Sequence, residues 1–301
     1  MQLSTHGLRL STHKQQLTIK MNILTFDIED WYMSYDSSQI AVERWPAMES
    51  RIASNITDIL QFLETHQLRA TFFIMGWVAG HNPEVIRKIA RAGHEIGYHS
   101  YHHDLPLKQG PEVFEEDLCK GLSLLRALTG QQVCLYRAPR FSFSENTAWC
   151  IPILLRHGIN ISSSAKSGRM LNSYRIPQEP VFLEYGNEIL LELPLNRAKT
   201  LGLNWVYTGS GYFRLLPFSL LNRLYGQSSY NMAYFHPRDF DTDVPQTALL
   251  PFYRNIMCRM GNSSTVPKLS ALLETYRFVS VGKAAETYLE KPQDIPRLHL
   301  G

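Results

Sequence analysis

The sequence predicts an α/β protein built on a mainly parallel sheet, and three observations carry that prediction. Short apolar runs of strand length alternate with longer stretches of helical periodicity through much of the chain. Such alternation implies parallel strands with helices outside them, either doubly wound or closed as a barrel. The main polar clusters stand directly after predicted strands, the end at which sites assemble in α/β barrels. The length of 301 residues, with 44% hydrophobic, is enough for a sizeable core.

The elements follow in order. Residues 1–20 contain Lys, Arg, His and Gln but no apolar centre, which predicts a loose N-terminal extension rather than a signal peptide. Met21 stands just before the first strand and is an alternative start. Residues 23–26 read as a buried strand that runs straight into Asp27, Glu29 and Asp30. Carboxylates there are costly to bury unpaired, so they point to a metal, a cationic partner or catalysis. The two-residue period of a strand puts Asp27 and Glu29 on one face and Ile28 and Asp30 on the other. Strand ends curl, so Asp30 stays a candidate.

Residues 31–48 form an aromatic loop suited to touching substrate or covering a barrel mouth. Ile52, Ile56, Ile59, Leu60 and Leu63 then repeat at helical spacing. Residues 69–76 read as a second buried strand. A short helix follows, with Asn82 as N-cap, Pro83 in its first turn and Gly93 at its stop. Residues 95–98 make the third strand. Residues 111–128 are a helix ending at Gly130, and 133–136 a strand delivering Arg137, Pro139 and Arg140. Ser144 caps a helix ending near Gly158. Strands are expected at 159–164 and 189–193, the latter carrying Glu192. Residues 199–227 break the alternation, and 209–217, with Tyr212, read as an aromatic, loop-like insertion near the site. Residues 230–235 are a strand delivering His236, Arg238 and Asp239. A helix near 267–276 and a strand at 278–280 close the pattern. The expected organisation is a folded domain over 21–290 with a tail at 291–301.

Composition excludes several classes. The net charge of +3 is too weak for a nucleic-acid binder, and no basic run is interleaved with aromatics. No apolar run is long enough to span a membrane. Cys119, Cys134, Cys150 and Cys258 are scattered, which predicts free thiols in a reducing compartment. There is no Gly-rich phosphate loop. The expected location is the cytoplasm.

The chemistry centres on His99 and His103, which follow the Gly93-His94-Glu95-Ile96-Gly97 turn. Four residues apart, they face the same way if they share a helical turn. Neutral imidazole is the commonest protein ligand for a divalent transition metal, and a catalytic zinc usually takes three protein ligands. A third, acidic ligand is then expected from elsewhere.

Thr25-Phe26-Asp27 with its nearby acids, Ala70-Thr71-Phe72-Phe73, His99-Ser100-x-x-His103, Arg137-x-Pro139 and the strand-borne His236 resemble, in order, the motifs of the polysaccharide deacetylases. That group is the NodB-homology family, also called carbohydrate esterase family 4. The resemblance covers residues 21–281. The segments Gly211-Tyr212-Phe213-Arg214 and Tyr234-Phe235-His236-Pro237 look like members found beside bacterial exopolysaccharide genes. The resemblance implies a distorted (β/α) barrel of about seven strands. It also implies one divalent metal, commonly Zn2+, bound by a carboxylate and two histidines. The implied reaction removes an N-acetyl group from an amino sugar of a glycan or glycan precursor. Carried over residue by residue, Asp27 matches the base, His99 and His103 the metal ligands, Arg137 the holder of the base and His236 the general acid. The backbone NH of Arg140 is a candidate oxyanion donor, and Tyr212 a candidate substrate contact.

Two departures stand out. Ile28 follows Asp27 where the family has a second Asp, so Glu29 or Asp30 must supply the metal carboxylate, with Glu29 favoured. Ser162 stands where an Asp is expected to orient the acid histidine. Glu192 is proposed as its substitute, ahead of Asp239. Two other readings remain: a same-fold hydrolase of another amide, and an inactive glycan-binding relative.

Overall fold

The computed structural model describes residues 20–33, 40–171, 174–200 and 203–300. The expected N-terminal extension and part of the 31–48 loop therefore lie outside the described residues. The strands are β1 (Met21–Ile28), β2 (Thr71–Ile74), β3 (Glu95–Tyr98), β4 (Leu135–Tyr136), β5 (Ile161–Ser162), β6 (Met170–Leu171) and β7 (Tyr174–Arg175). They continue as β8 (Val181–Tyr185), β9 (Glu188–Glu192), β10 (Ala198–Thr200), β11 (Leu203–Trp205), β12 (Tyr230–Phe235), β13 (Phe278–Val279) and β14 (Arg297–His299). The helices are α1 (Ile52–Thr65), α2 (Gly76–His81), α3 (Pro83–Arg91), α4 (Pro106–Thr129) and α5 (Cys150–Arg156). Then come α6 (Ser210–Leu215), α7 (Phe218–Gln227), α8 (Phe252–Arg259), α9 (Thr265–Thr275) and α10 (Val281–Leu289).

The main sheet runs β12-β1-β2-β3-β4-β5-β9-β8-β14, with β13 also paired to β1. From β12 to β9 every pairing is parallel. Each strand from β1 to β4 feeds a helical segment before the next strand, as the alternation predicted. Apolar side chains sort by the strand period into two buried sets. Ile23, Phe73, Leu135, Leu191 and Met232 belong to an inner cluster, whereas Leu24, Phe26, Phe72, Ile74, Tyr136 and Phe235 pack in the larger cluster with the helices. Val281, Ala284 and Ala285 of α10 join the inner cluster. The start of α10 is tied to the beginnings of β2 and β3, because Val281 N–H donates to Thr71 Oγ1 and Gly282 N–H to the Glu95 carboxylate.

Among the described residues, the ladder between β12 and β9 is not closed. Side chains bridge that seam. Asn196, after β9, accepts from Met232 N–H of β12 at 2.9 Å through Oδ1, and Tyr230 OH donates to Pro194 O at 2.9 Å. The sheet is thus curled into the expected distorted barrel with its seam held by an amide and a phenol.

The fold departs from expectation in several places. The strand β8 was not foreseen. It forms an antiparallel hairpin with β9 around Gly186, whose φ of 57° needs the left-handed freedom of glycine. The expected tail is no tail, because β14 pairs in parallel with β8. Residues 210–215 are helical rather than a loop. Ser144 caps a 3-10 turn, Glu145–Thr147, with α5 starting only at Cys150. Asn82 precedes α3 but makes no side-chain cap. In the aromatic segment, Trp31, Tyr32 and Trp45 are buried and Trp45 stacks edge-on against Trp77 at 5.4 Å, so these rings serve the core. The four cysteines are free, as expected.

Candidate active site

The inner face of each strand, followed past its C-terminal end, delivers the polar residues to one place. On β1 the inner parity of Ile23 continues through Thr25, Asp27 and Glu29. On β3 it runs through Gly97 to His99. On β4 it runs from Leu135 to Arg137, and on β12 from Met232 through Tyr234 to His236. These ends open onto a cavity of about 350 Å³. Asp27, Glu29, His99, His103 and His236 line it, with Arg140, Lys166 and Tyr212 also in its wall.

Arg137 is the best-held side chain of the site. It is fully buried. Its Nη1 donates to Asp27 Oδ1 at 2.7 Å and to Thr25 Oγ1 at 2.8 Å. Its Nε and Nη2 donate to the Ser163 carbonyl and hydroxyl. The guanidinium lies between the rings of Phe73 and Phe141, 4.0 and 4.6 Å from their centroids. Gly97 makes room for this arrangement, because a Cβ there would stand 2.5 Å from Phe73 Cδ1. A buried cation satisfied on every side fixes its carboxylate partner in one orientation.

Glu29 is the hub of the charged cluster. His103 Nε2 lies 3.2 Å from its Oε2, His236 Nε2 2.8 Å from its Oε1 and Arg238 Nη1 3.7 Å from Oε1. Burial opposes its ionisation, but His103, His236 and Arg238 together hold the carboxyl well below the usual range. Glu29 Oε2 is buried without a hydrogen-bond partner. His99 receives the other ordering contact, with Nδ1 2.8 Å from the Arg137 carbonyl. The rings of His99 and His103 are 5.3 Å apart. They do not share a helical turn as expected. Residues 99–103 are irregular, with positive φ at Ser100 (59°) and His103 (63°), so backbone turning rather than helix pitch brings the imidazoles together. Burial pushes the His103 imidazole down to about 4, which keeps it neutral and able to ligate.

Asp30 is a correction. It faces away from the cavity: its Oδ1 accepts from Trp31 N–H at 2.9 Å and its Oδ2 from Arg51 N–H at 3.1 Å, at the start of α1. Burial raises its carboxyl above the ordinary value. The strand period, which separated Asp30 from Asp27 and Glu29, is the physical reason.

Glu192 is a second correction. It is buried and its Oε1 accepts from Ser164 and Ala165 N–H, both at 2.8 Å. Leu191 and Leu193 hold the inner parity of β9, so Glu192 sits on the other one, in register with Ser162. The partner of His236 is Asp239. Asp239 Oδ2 accepts from His236 N–H at 2.8 Å and lies 3.2 Å from His236 Nδ1. This is a capping box across a 3-10 turn, Pro237–Phe240. The three-residue spacing in His-Pro-Arg-Asp was the signal for it. Burial and Arg238 oppose charge on His236, but Glu29 and Asp239 outweigh them and hold its pKa above the ordinary value.

Arg140 and Phe141 follow Pro139 with φ of 61° and 51°, a tight turn that sets the Arg140 peptide at the cavity wall. Tyr212, on α6, is 56% exposed and packs near Trp205 at 6.2 Å, which leaves most of its ring open to a ligand. Lys166 and Arg238 are cavity residues to which the sequence reading gave no role. Arg238 stands inside His-Pro-Arg-Asp, whereas Lys166 belongs to no motif that could have marked it.

The donor set of Glu29, His99 and His103 has the chemistry of a divalent-metal site, and the orphaned Glu29 Oε2 beside His103 fits that use. Among the described residues, no group of three or more His, Cys, Asp or Glu has the arrangement of a ready-made metal site.

A pocket at the strand ends of a curled parallel sheet is the place where α/β folds carry their sites. Residues 14–159 match the family model described as polysaccharide deacetylase, and residues 163–286 match one described as a domain of unknown function, DUF3473. Just under half of the chain is thus similar to the polysaccharide deacetylases. It is 33% identical to a peptidoglycan deacetylase of Helicobacter pylori over 36% of each chain. It is 36% identical to the peptidoglycan-N-acetylmuramic acid deacetylase PdaA of Bacillus subtilis over 29% of this chain and 34% of that one. The chain thus spans about a third of the length of these curated relatives. A provisionally assigned polysaccharide deacetylase of Mycobacterium smegmatis has the same fold, with a TM-score of 0.63, 19% identity and 92% of both chains covered. No helix among the described residues is long and apolar enough to cross a membrane.

Proposed function

We propose that this protein hydrolyses the N-acetyl group of an amino sugar in a polysaccharide or its precursor, releasing acetate. The observation that carries the reading is the convergence of an Arg-held carboxylate, a carboxylate with two imidazoles and a carboxylate-backed histidine in one cavity. An amide is a poor electrophile and water a poor nucleophile, so both need activation. Glu29, His99 and His103 are the residues to hold a divalent metal, which when bound polarises the amide carbonyl and makes water more acidic. Asp27, oriented by Arg137, accepts the proton from the attacking water. His236, whose pKa Glu29 and Asp239 raise, gives a proton to the departing amine. The Arg140 N–H donates to the developing oxyanion. The segments around Tyr212 and His236 that resemble exopolysaccharide-locus proteins support an exopolysaccharide as the polymer.

The test is acetate release from a panel of N-acetylated oligosaccharides, with and without chelator. Turnover should stop on chelation and return with zinc. Asp27→Asn should keep its fold and metal content while turnover falls by roughly 10² to 10⁴. A folded, zinc-loaded protein that releases no acetate from any panel member would reject the reading.

A further inference from the structure

The helix α8 turns its apolar face outward. Phe252, Tyr253, Ile256 and Met257, with Met260 just past its end, are all exposed, Phe252 by 80%. The 100° step of an α-helix places these five within an arc of about 140°. Phe252, Ile256 and Met260 line one open groove of about 380 Å³. A surface helix ordinarily turns such an arc toward the core. Here the opposite side is the docked one. Cys258 is buried there, and Asn255 Nδ2 donates to Thr247 O at 2.9 Å and to Leu250 O at 3.1 Å. Scattered exposed apolar residues are ordinary, but a contiguous set marks a surface that meets a partner.

The charge around this face has one sign. The same helical step puts Arg259 at one border of the arc and Arg254 at the other. Arg254 Nε donates to Tyr253 OH at 3.3 Å, so one of these cations lies along an exposed ring. Residues 244–273 contain Arg254, Arg259 and Lys268 but no Asp or Glu. The whole chain has 27 acidic residues, so their absence here is local. A second copy fits this face poorly, because a two-fold contact brings the same arginines to both sides and no carboxylate of the segment to meet them. A convex ridge of Phe, Tyr, Ile and Met also offers a rigid partner little to register on, whereas a bilayer needs no register. An apolar arc bordered by arginines is the pattern of a helix that lies in a lipid–water interface, with the arginine heads at the phosphates.

We infer that α8 is a peripheral docking surface for an anionic lipid bilayer, with Phe252, Tyr253, Ile256 and Met257 entering the interface and Arg254 and Arg259 meeting the headgroups. The inference goes beyond the hydrolase reading and does not depend on it. It does touch the cavity. Arg214 of α6 donates to Met257 O at 3.1 Å and Cys258 O at 3.2 Å, and α6 also carries Ser210 and Tyr212 of the cavity wall. The docking face and the cavity are thus joined by a buried arginine.

The full chain is sedimented with vesicles of phosphatidylcholine alone and of phosphatidylcholine mixed with phosphatidylglycerol. Binding to the mixed vesicles should be roughly tenfold tighter, and the difference should shrink as salt rises. Phe252→Ser/Met257→Ser should weaken binding to the mixed vesicles by roughly tenfold or more at an unchanged thermal midpoint. Arg254→Gln/Arg259→Gln should lose most of the preference for anionic vesicles. Leu107→Ser/Val113→Ser removes exposed apolar groups from α4 and should bind as the parent does. Failure to bind the mixed vesicles, or undiminished binding by Phe252→Ser/Met257→Ser, overturns the inference. Light scattering without vesicles tests the other occupant. A dimer that Phe252→Ser/Met257→Ser abolishes would assign the face to a second copy and overturn the inference as well.

Discussion

At the scale of single residues, the site is a set of carboxylates told apart by their surroundings. Asp27 has an arginine to itself, Glu29 has imidazoles, and Asp239 serves one histidine. Asp239 reaches His236 through both its backbone N–H and its ring, so it fixes the tautomer and the orientation together. Asp239→Asn should therefore slow acetate release by roughly 10- to 100-fold at unchanged zinc content, and Asp239→Glu should restore part of the rate. Equal rates for Asp239→Asn and the parent protein would remove Asp239 from the proton-transfer chain. Most of these residues were legible in the sequence because polar side chains directly after apolar strands have few structural reasons to be there. Glu192 and Asp30 were misread for one shared reason. A strand end names a place, but side-chain parity decides whether a residue faces the cavity, and both lie on the wrong parity. Asp239 is harder to see in a sequence because its link to His236 is local, a cap, and not a contact across the barrel.

At the scale of elements, β3 links packing to chemistry. Gly97 lets Phe73 lie flat beneath Arg137, and Arg137 holds Asp27. Gly97→Ala should force the Phe73 ring aside, lowering stability by about 1–3 kcal/mol and turnover with it. Urea denaturation and acetate release check this, and a stable, fully active Gly97→Ala would show that the ring is not what positions Arg137. His94, at the entry to β3, is buried against Phe72 and takes an N–H from Ala70. Burial, then Arg69, lowers its pKa to about 4 from an ordinary value of 6.5. The unfolded chain thus binds a proton in that window that the folded chain does not. His94 therefore costs no stability above pH 6.5, and the fold loses on the order of 2–3 kcal/mol as pH falls from 6.5 to 4. His94→Gln should flatten that part of the stability–pH curve; an identical acid slope would assign it to other groups. Continuous apolar strands such as β1, β2 and β12 were readable. The three-residue β14 was not, since Arg297-Leu298-His299 has no pattern until β8 offers it an edge.

At the scale of the molecule, the barrel depends on its seam. Asn196 joins β12 to the end of β9 and also donates to Tyr207 OH at 2.9 Å. Asn196→Ala leaves Met232 N–H buried without its acceptor, a loss of about 1–3 kcal/mol. Hydrogen exchange at Met232 should accelerate more than at β2 or β3. Uniform protection would mean that the seam is held elsewhere. No periodicity announces such a closure, because one amide between two backbones leaves no repeating trace in a sequence.

The order of strands also bears on how this chain could have been inherited. The gap between its two family-matched stretches, 160–162, contains β5, which is hydrogen-bonded to β4 of the first stretch and to β9 of the second. Asp27, His99 and Arg137 lie before the gap; Lys166, Tyr212 and His236 lie after it. Neither half alone carries a complete pocket, and each would present a raw strand edge where the other belongs. The two stretches are therefore not beads on a string. A substitution in one stretch at the cavity wall therefore meets side chains supplied by the other.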